Sequence, residues 1–356
     1  MILQRIERLI SALEAMGAEG CMLHAPENMR YFSGYTGEGL IVLSRQGRTI
    51  LTDSRYTEQA MRQAPDYQVV EYNAGLPFDQ AVRETAEALG LQRLGFENAC
   101  VTVADFERLK LILEGFILLP MNDMGMQLRA VKDADEIAAI RRVCQVTDDA
   151  YEALKTMIRP GVSELDVVAE LGYYLQKRHH TRMAFCIVAS GENGSMPHAI
   201  ASERKIQPNE AVTVDFGGIL EGYQSDMTRT FAVGQLSDTM AEIYQVVLDA
   251  QLAAVEALKP GKTGRQVDAV ARELIAKAGY GAYFGHGLGH GVGLMGHEAP
   301  RLSPSSGQVL EPGMVVTVEP GIYLPGIGGV RIEDTCLITD TGCEVLFAAP
   351  KALQMI

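Results

Sequence analysis

The sequence predicts an α/β (α+β) protein of two domains, the second built from an internal repeat. Two observations carry this. Helical and strand-like apolar patterns alternate over residues 1–125. Further on, Val212-Thr213-Val214-Asp215-Phe216-Gly217 returns as Val316-Thr317-Val318-Glu319-Pro320-Gly321, with Pro208 and Pro312 equally far ahead of the two copies. A second acid follows each copy, Asp226 after the first and Glu333 after the second.

The elements follow in order. Ile2, Ile6, Leu9, Ile10 and Leu13 recur at helical spacing among Arg5, Glu7, Arg8 and Glu14, so the N-terminus reads as an amphipathic helix rather than a signal peptide. Cys21-Met22-Leu23 follows. Leu40-Ile41-Val42-Leu43 and Thr49-Ile50-Leu51 read as strands joined by an Arg45-Gln46-Gly47 turn. A helix is expected near 54–63, a strand over 67–72 and a helix over 78–89. Strands are expected at Leu94-Gly95-Phe96 and Phe116-Ile117-Leu118-Leu119. Pro120-Met121-Asn122-Asp123 is turn-like, and the boundary is placed between 125 and 126. Asp133 with Glu136 then forms an N-cap and capping box for a long helix, which Arg159-Pro160-Gly161 ends.

In the second domain, 126–356, Arg159-Pro160-Gly161 matches Lys259-Pro260-Gly261, and Ser163 or Thr263 precedes another helical pattern. His198 and His297 occupy corresponding places. Each half therefore reads helix, Pro-Gly, helix, histidine, acid-bearing strands. Gly217-Gly218 is expected to break the first acid strand, with Gly222 in the turn; Gly321 and Pro325-Gly326 are expected to turn the second.

Composition narrows the function. The chain is 47% hydrophobic and 21% charged with a net charge of −14, which argues against nucleic acid and anionic membrane as partners. Six cysteines without a CxxC pair read as reduced thiols of a cytoplasmic protein. His24 reads as structural, and His179-His180 as an exposed helix end.

Two hairpins from two halves can face Asp215, Asp226, Glu319 and Glu333 toward one point. Four buried carboxylates need cations. Between the hairpins lies Gly285-His286-Gly287-Leu288-Gly289-His290-Gly291-Val292-Gly293. It fits no phosphate loop, and its glycines let backbone approach a site closely. Oxygen ligands with an imidazole suit Mn, Co or Zn, and four acids balance two M²⁺ ions. The residues thus read as a dinuclear hydrolase.

The motifs VDFG, SDMTRT, GHGLGHGVGL followed by HE, VEPGIY and VRIED resemble the pita-bread metallopeptidases, which include methionine aminopeptidase, aminopeptidase P and prolidase. Tyr31-Phe32-Ser33-Gly34 and Thr52-Asp53-Ser54-Arg55-Tyr56 resemble the creatinase-type N-terminal domain, which points to the proline-specific branch. The resemblance implies two divalent metal ions per subunit, manganese first, then cobalt or zinc. Asp215 would chelate one ion, Asp226 and Glu333 would bridge both, and His290 with Glu319 would complete the other. A hydroxide between them would attack the bond preceding proline. Glu319 would handle its proton, His297 would bind the developing oxyanion, and His198 would face the scissile nitrogen. His286 would line the proline pocket, while Tyr323 and Arg331 would support the site from behind. A homodimer acting on short proline-containing peptides is implied.

Arg301 follows His297 by four residues, and the resemblance to prolidase-like members implies that an Arg at this place would hold the free carboxylate of an Xaa-Pro dipeptide. That favours an Xaa-Pro dipeptidase. The alternatives are an aminopeptidase P acting on longer peptides and a non-catalytic binding protein of the same fold.

Overall fold

Capping and periodicity set the elements, and all of residues 1–356 are described in the computed structural model. The chain divides into Met1–Arg129 and Ala130–Ile356. Helix α1 (Ile2–Ala15) buries Ile6, Leu9, Ile10 and Leu13, the stripe its spacing predicts. The first unit continues through β1 (Gly20–Leu23), α2 (Pro26–Ser33), β2 (Leu40–Ser44), β3 (Arg48–Thr52), α3 (Thr57–Gln63) and β4 (Gln68–Glu71). It is completed by α4 (Phe78–Ala88), β5 (Arg93–Phe96), α5 (Val103–Ile112), β6 (Ile117–Pro120) and α6 (Met124–Ala130).

Its six strands form one mixed sheet in the order β4-β3-β2-β1-β5-β6. Met22, Val42, Leu51 and Leu94 pack there against Val82 and Leu109 of α4 and α5. Helices α2 and α5 are additions to the expected elements. The first is short and polar, yet Pro26 starts it and Gly34 ends it at φ 81°. The second is capped by Thr102, whose hydroxyl accepts from Asp105 N at 3.1 Å. Residues 126–129, assigned to the second domain from sequence, stay with the first unit: Arg129 is buried and donates to Asn28.

The second unit opens with α7 (Ala134–Met157), held by the expected capping box of Asp133 and Glu136. Then come α8 (Glu164–His179), β7 (Arg182–Ser190), β8 (Glu210–Leu220), β9 (Tyr223–Gln224), β10 (Met227–Val233), α9 (Asp238–Ala257) and α10 (Gly264–Lys277). Strands β11 (Gly289–Gly291), β12 (Glu298–Leu302), β13 (Val315–Val318), β14 (Gly321–Leu324), β15 (Gly328–Arg331), β16 (Asp334–Ile338), β17 (Cys343–Val345) and β18 (Gln354–Met355) complete it. Ser163 and Thr263 cap α8 and α10 through matching capping boxes.

One sheet runs β18-β10-β8-β7 with β9 beside β8; another runs β12-β11-β13-β16-β17; β14 and β15 form a separate hairpin. In each large sheet an acid-bearing strand (β8 or β13) lies between a returning strand (β10 or β16) and a third (β7 or β11).

Three local expectations need correction. Strand β8 runs on through Gly217-Gly218 to Leu220. A Cβ at Gly217 would collide with the Ser225 carbonyl, so glycine there permits close strand approach rather than a break. Gly321 opens β14, and the turn is left to Pro325–Ile327 with Gly326 at φ 72°. His180 is exposed at the end of α8, whereas His179 is partly covered and lies 3.8 Å from Asp149.

Candidate metal centre

Strand pairing delivers the acids. Asp215 lies opposite Thr228 in the β8–β10 ladder, and Asp226 immediately precedes β10. In the second half Val318 pairs with Asp334, so Glu319 and Glu333 leave β13 and enter β16 at the same level. His290 sits on β11, which pairs with β13 through Gly291 and Val316. Thr317 Oγ1 accepts from His290 N at 3.0 Å and donates to Glu319 Oε1 at 3.3 Å.

These positions converge. His290 Nε2 lies 3.2 Å from Glu319 Oε1 and 3.6 Å from Asp226 Oδ2. Ligand atoms of Asp226, His290 and Glu333 lie within 4.8 Å of one another. Glu333 is 1% exposed, and Asp215, Asp226 and His290 are buried.

The electrostatics show what the cluster lacks. Burial, then the charges of Glu333, Asp215 and Glu319, push Asp226 well above the usual carboxylate range. Burial, then the charges of Glu319 and Asp215, raise Glu333 likewise. Burial also raises Asp215, with Arg331 opposing. Glu319 is pushed up by burial, but its contact with His290 brings it below the usual value on balance.

Protein partners occupy only one oxygen of Asp215 and one of Glu333. Arg331 Nη2 donates to Asp215 Oδ2 at 2.8 Å, and Thr228 Oγ1 to Glu333 Oε2 at 2.7 Å. Asp215 Oδ1 and Glu333 Oε1 stay buried without any hydrogen-bond partner. An imidazole, four acids and two orphaned carboxylate oxygens fit divalent cations.

Behind the acids runs a hydrogen-bonded relay. Arg331 Nε donates to Thr228 Oγ1 at 3.1 Å and Nη1 to Tyr323 OH at 3.0 Å. His286 Nε2 meets the same hydroxyl at 2.9 Å. Burial pushes Tyr323 up to about 12, so its hydroxyl keeps its proton. Burial lowers His286.

A cavity of ≈ 620 Å³ opens onto the cluster, lined by Asp215, His290 and Glu319 together with His198, His286, His297, Arg301, Tyr323 and Arg331. Asp226 and Glu333 lie outside that lining. His198, His297 and Arg301 are exposed. The His297 ring stands 3.9 Å from that of His290. Partial desolvation of the ring against its neighbours, then the charges of His290 and Arg301, lower His297 to about 4. The structure thus gathers every site residue named from the sequence around one centre.

Several supports escaped sequence reading. Buried Asp268 on α10 accepts from Leu288 N at 3.0 Å and pairs with Arg272 at 2.8 Å. Arg272 in turn donates to the carbonyls of Phe284 and His286 at 3.0 and 2.7 Å, fixing the glycine-rich segment to the helix. The Asp268/Arg272 spacing of one helical turn was the available signal. Lys132 and Glu298 form a buried ion pair at 3.3 Å, and Glu298 Oε1 accepts from Met295 N, steadying the segment that carries His297. Nothing in the sequence near Lys132 indicated that partner.

A buried acid cluster with an imidazole, opening on a histidine-lined cavity, defines a metal-dependent hydrolase. Residues 138–340 match metallopeptidase family M24, and residues 5–131 match the creatinase/prolidase N-terminal domain. The chain belongs to metallopeptidase family M24. The solved structure of a Xaa-Pro dipeptidase from Bacillus anthracis is 44% identical, with a TM-score of 0.96 and all of both chains covered. A Xaa-Pro dipeptidase from Pyrococcus furiosus is 36% identical over 98% of this chain and 99% of that protein. The crystal structure of an X-Pro aminopeptidase from Thermotoga maritima is 35% identical, with a TM-score of 0.92 over 99% and 100% of the two chains. The two-domain α/β reading and the motif-based resemblance both hold.

Proposed function

We propose that the protein hydrolyses the peptide bond preceding proline in Xaa-Pro dipeptides. One observation carries the choice: Arg301 lies directly opposite His290 in the β11–β12 ladder and lines the same cavity. Opposite residues of an antiparallel pair share a face, with Cβ atoms about 5 Å apart. A carboxylate held by Arg301 therefore lies within a dipeptide's reach of the acid cluster. The dipeptidases among the relatives support the same reading.

Asp226 and Glu333 would hold two ions jointly, Asp215 one of them, and His290 with Glu319 the other. Manganese is the first choice, then cobalt or zinc. Bound divalent cations supply a nucleophilic water at neutral pH and positive charge for the carbonyl oxygen. The side chains do the rest. Glu319 takes the proton from the attacking water at its carboxylate and passes it to the proline nitrogen as the C–N bond breaks. Neutral His297 donates an N–H toward the carbonyl oxygen as it gains charge. His198 faces the scissile nitrogen, which carries no hydrogen when proline follows the bond. His286, held by Tyr323, walls the proline ring. Family membership supports a homodimer, and six free cysteines suit the cytoplasm.

The test compares Met-Pro with Met-Pro-Ala. The dipeptide should be preferred at least about tenfold, and Arg301→Ala should abolish that preference by raising KM for Met-Pro. Equal cleavage of both peptides, unchanged in Arg301→Ala, would favour the aminopeptidase reading that the Thermotoga maritima relative supports.

A further inference from the structure

Glu164, the first residue of α8, is 0% exposed and outside the acid cluster, yet it gathers five donors. Its Oε1 accepts from Ser190 N and Ser190 Oγ, both at 2.8 Å. Its Oε2 accepts from Ser202 N at 3.0 Å and Ser202 Oγ at 2.8 Å. Asn193 Nδ2 reaches both oxygens at 3.1 Å. The two backbone N–H groups can only donate. The serine hydroxyls are committed as well, because Ser190 Oγ accepts from Arg204 Nη1 at 2.7 Å and Ser202 Oγ from Arg204 N at 3.2 Å. Both hydroxyl protons therefore point at Glu164. Both of its oxygens must be acceptors, a demand only a carboxylate meets.

Ser190 and Ser202 are the two ends of the loop that carries His198. In return the helix's first N–H groups bond the loop: Glu164 N donates to Arg204 O at 3.2 Å and Leu165 N to Ser202 O at 3.1 Å. Between the clamped ends the loop is short and tightly turned, with Met196 N on Asn193 O and Ala199 N on Met196 O, both at 3.1 Å. Its tip is tied to the metal centre, since Arg331 Nη1 donates to Pro197 O at 3.3 Å. His198 follows that carbonyl and is itself exposed, so its side chain gets its placement from the loop backbone.

We infer that Glu164 is the positioning residue for His198: a buried carboxylate that closes the loop and fixes where the imidazole meets the substrate. The inference rests on the role of His198 given above. In Glu164→Gln an amide NH₂ faces at least one obligate donor, so the clamp opens on that side.

The experiment is a double-mutant cycle on Met-Pro with manganese-loaded protein. Glu164→Gln should lower kcat about 10–100-fold with KM and bound manganese nearly unchanged. In a His198→Ala background the same change should cost less than about twofold. An equal loss in both backgrounds would show a merely structural role and overturn the inference. If Glu164→Gln does not fold, Ser202→Ala removes one donor and should show the same coupling at about fivefold. A second readout needs no turnover: among the seven histidines, only the His198 ring signal in an NMR spectrum should shift or broaden in the variant. An unmoved His198 signal overturns the inference even if the native protein cleaves no Xaa-Pro peptide, a result that would by itself sink only the dipeptidase reading.

Discussion

The two halves of the catalytic unit are built alike and used differently. In the first, β8 is one strand of 11 residues that carries Asp215 straight through the sheet. In the second, the equivalent path is cut after β13, where Pro320 follows Glu319 and the chain swings into the β14–β15 hairpin. Proline cannot donate to a ladder, so the β13 pairing stops at Val318 and Glu319 N donates instead to Leu288 O at 2.8 Å. That bond ties Glu319 to the glycine-rich segment, 3.2 Å from His290, while Asp215 is locked to Arg331 of the other half. His290 has no counterpart on β7. A duplication thus supplies four acids on or beside matching strands, and small departures from symmetry make the two sides of the site chemically unlike.

The comparison can be broken where the halves are most alike. Asp226→Asn and Glu333→Gln remove corresponding acids and should each cost about 10³-fold or more in kcat/KM, with loss of bound manganese. A mild effect of either would mean that the halves do not share the metal load. Next comes the asymmetric residue. His290→Ala should cost about 10²–10³-fold and lower the manganese bound per chain by about one equivalent, measured by elemental analysis. Retention of both equivalents would show that the imidazole is no ligand. Smaller again, Arg331→Lys keeps the charge that crosses between the halves but cannot reach Asp215, Thr228 and Tyr323 together; about 10–100-fold in kcat is expected.

The least effect concerns stability. In metal-free protein, burial and neighbouring acids hold the carboxyls of Asp226 and Glu333 well above the usual range. In the unfolded chain they titrate near about 4. Above that pH the folded state binds more protons than the unfolded one, so stability is greatest below the unfolded value and falls as pH rises through the folded values. Chelator-treated protein should lose about 5 °C or more in Tm between about pH 5 and pH 8. Manganese-loaded protein should lose less, because cations replace the protons. A flat profile for the metal-free protein would contradict the raised carboxyls.

Much of this was legible because the signals are local. Asp133, Ser163 and Thr263 announce helix starts through side chains that reach only three residues, and the structure uses all three. The paired acids were legible because the phrase is repeated. What escaped was held by contacts distant in sequence. Glu164 reads as an ordinary acid in a helix's first turn until Ser190 and Ser202 close on it. Lys132 finds Glu298 only after the chain has folded across the unit. Gly217-Gly218 looked like a break because glycine usually punctuates strands; the Ser225 carbonyl gives the actual reason.

By itself the sequence determined the two-domain α/β plan and the duplicated acid strands, and it marked the acids and the imidazole that the fold gathers, since periodicity, caps and residue chemistry are properties of short stretches. Tertiary structure alone decided which oxygens are spoken for and which are left bare. Arg331 and Thr228 each take one carboxylate oxygen and leave Asp215 Oδ1 and Glu333 Oε1 buried without a partner. Such an unmet demand exists only once folding has removed water from the acids, and that is what turns a row of carboxylates into a place for metal.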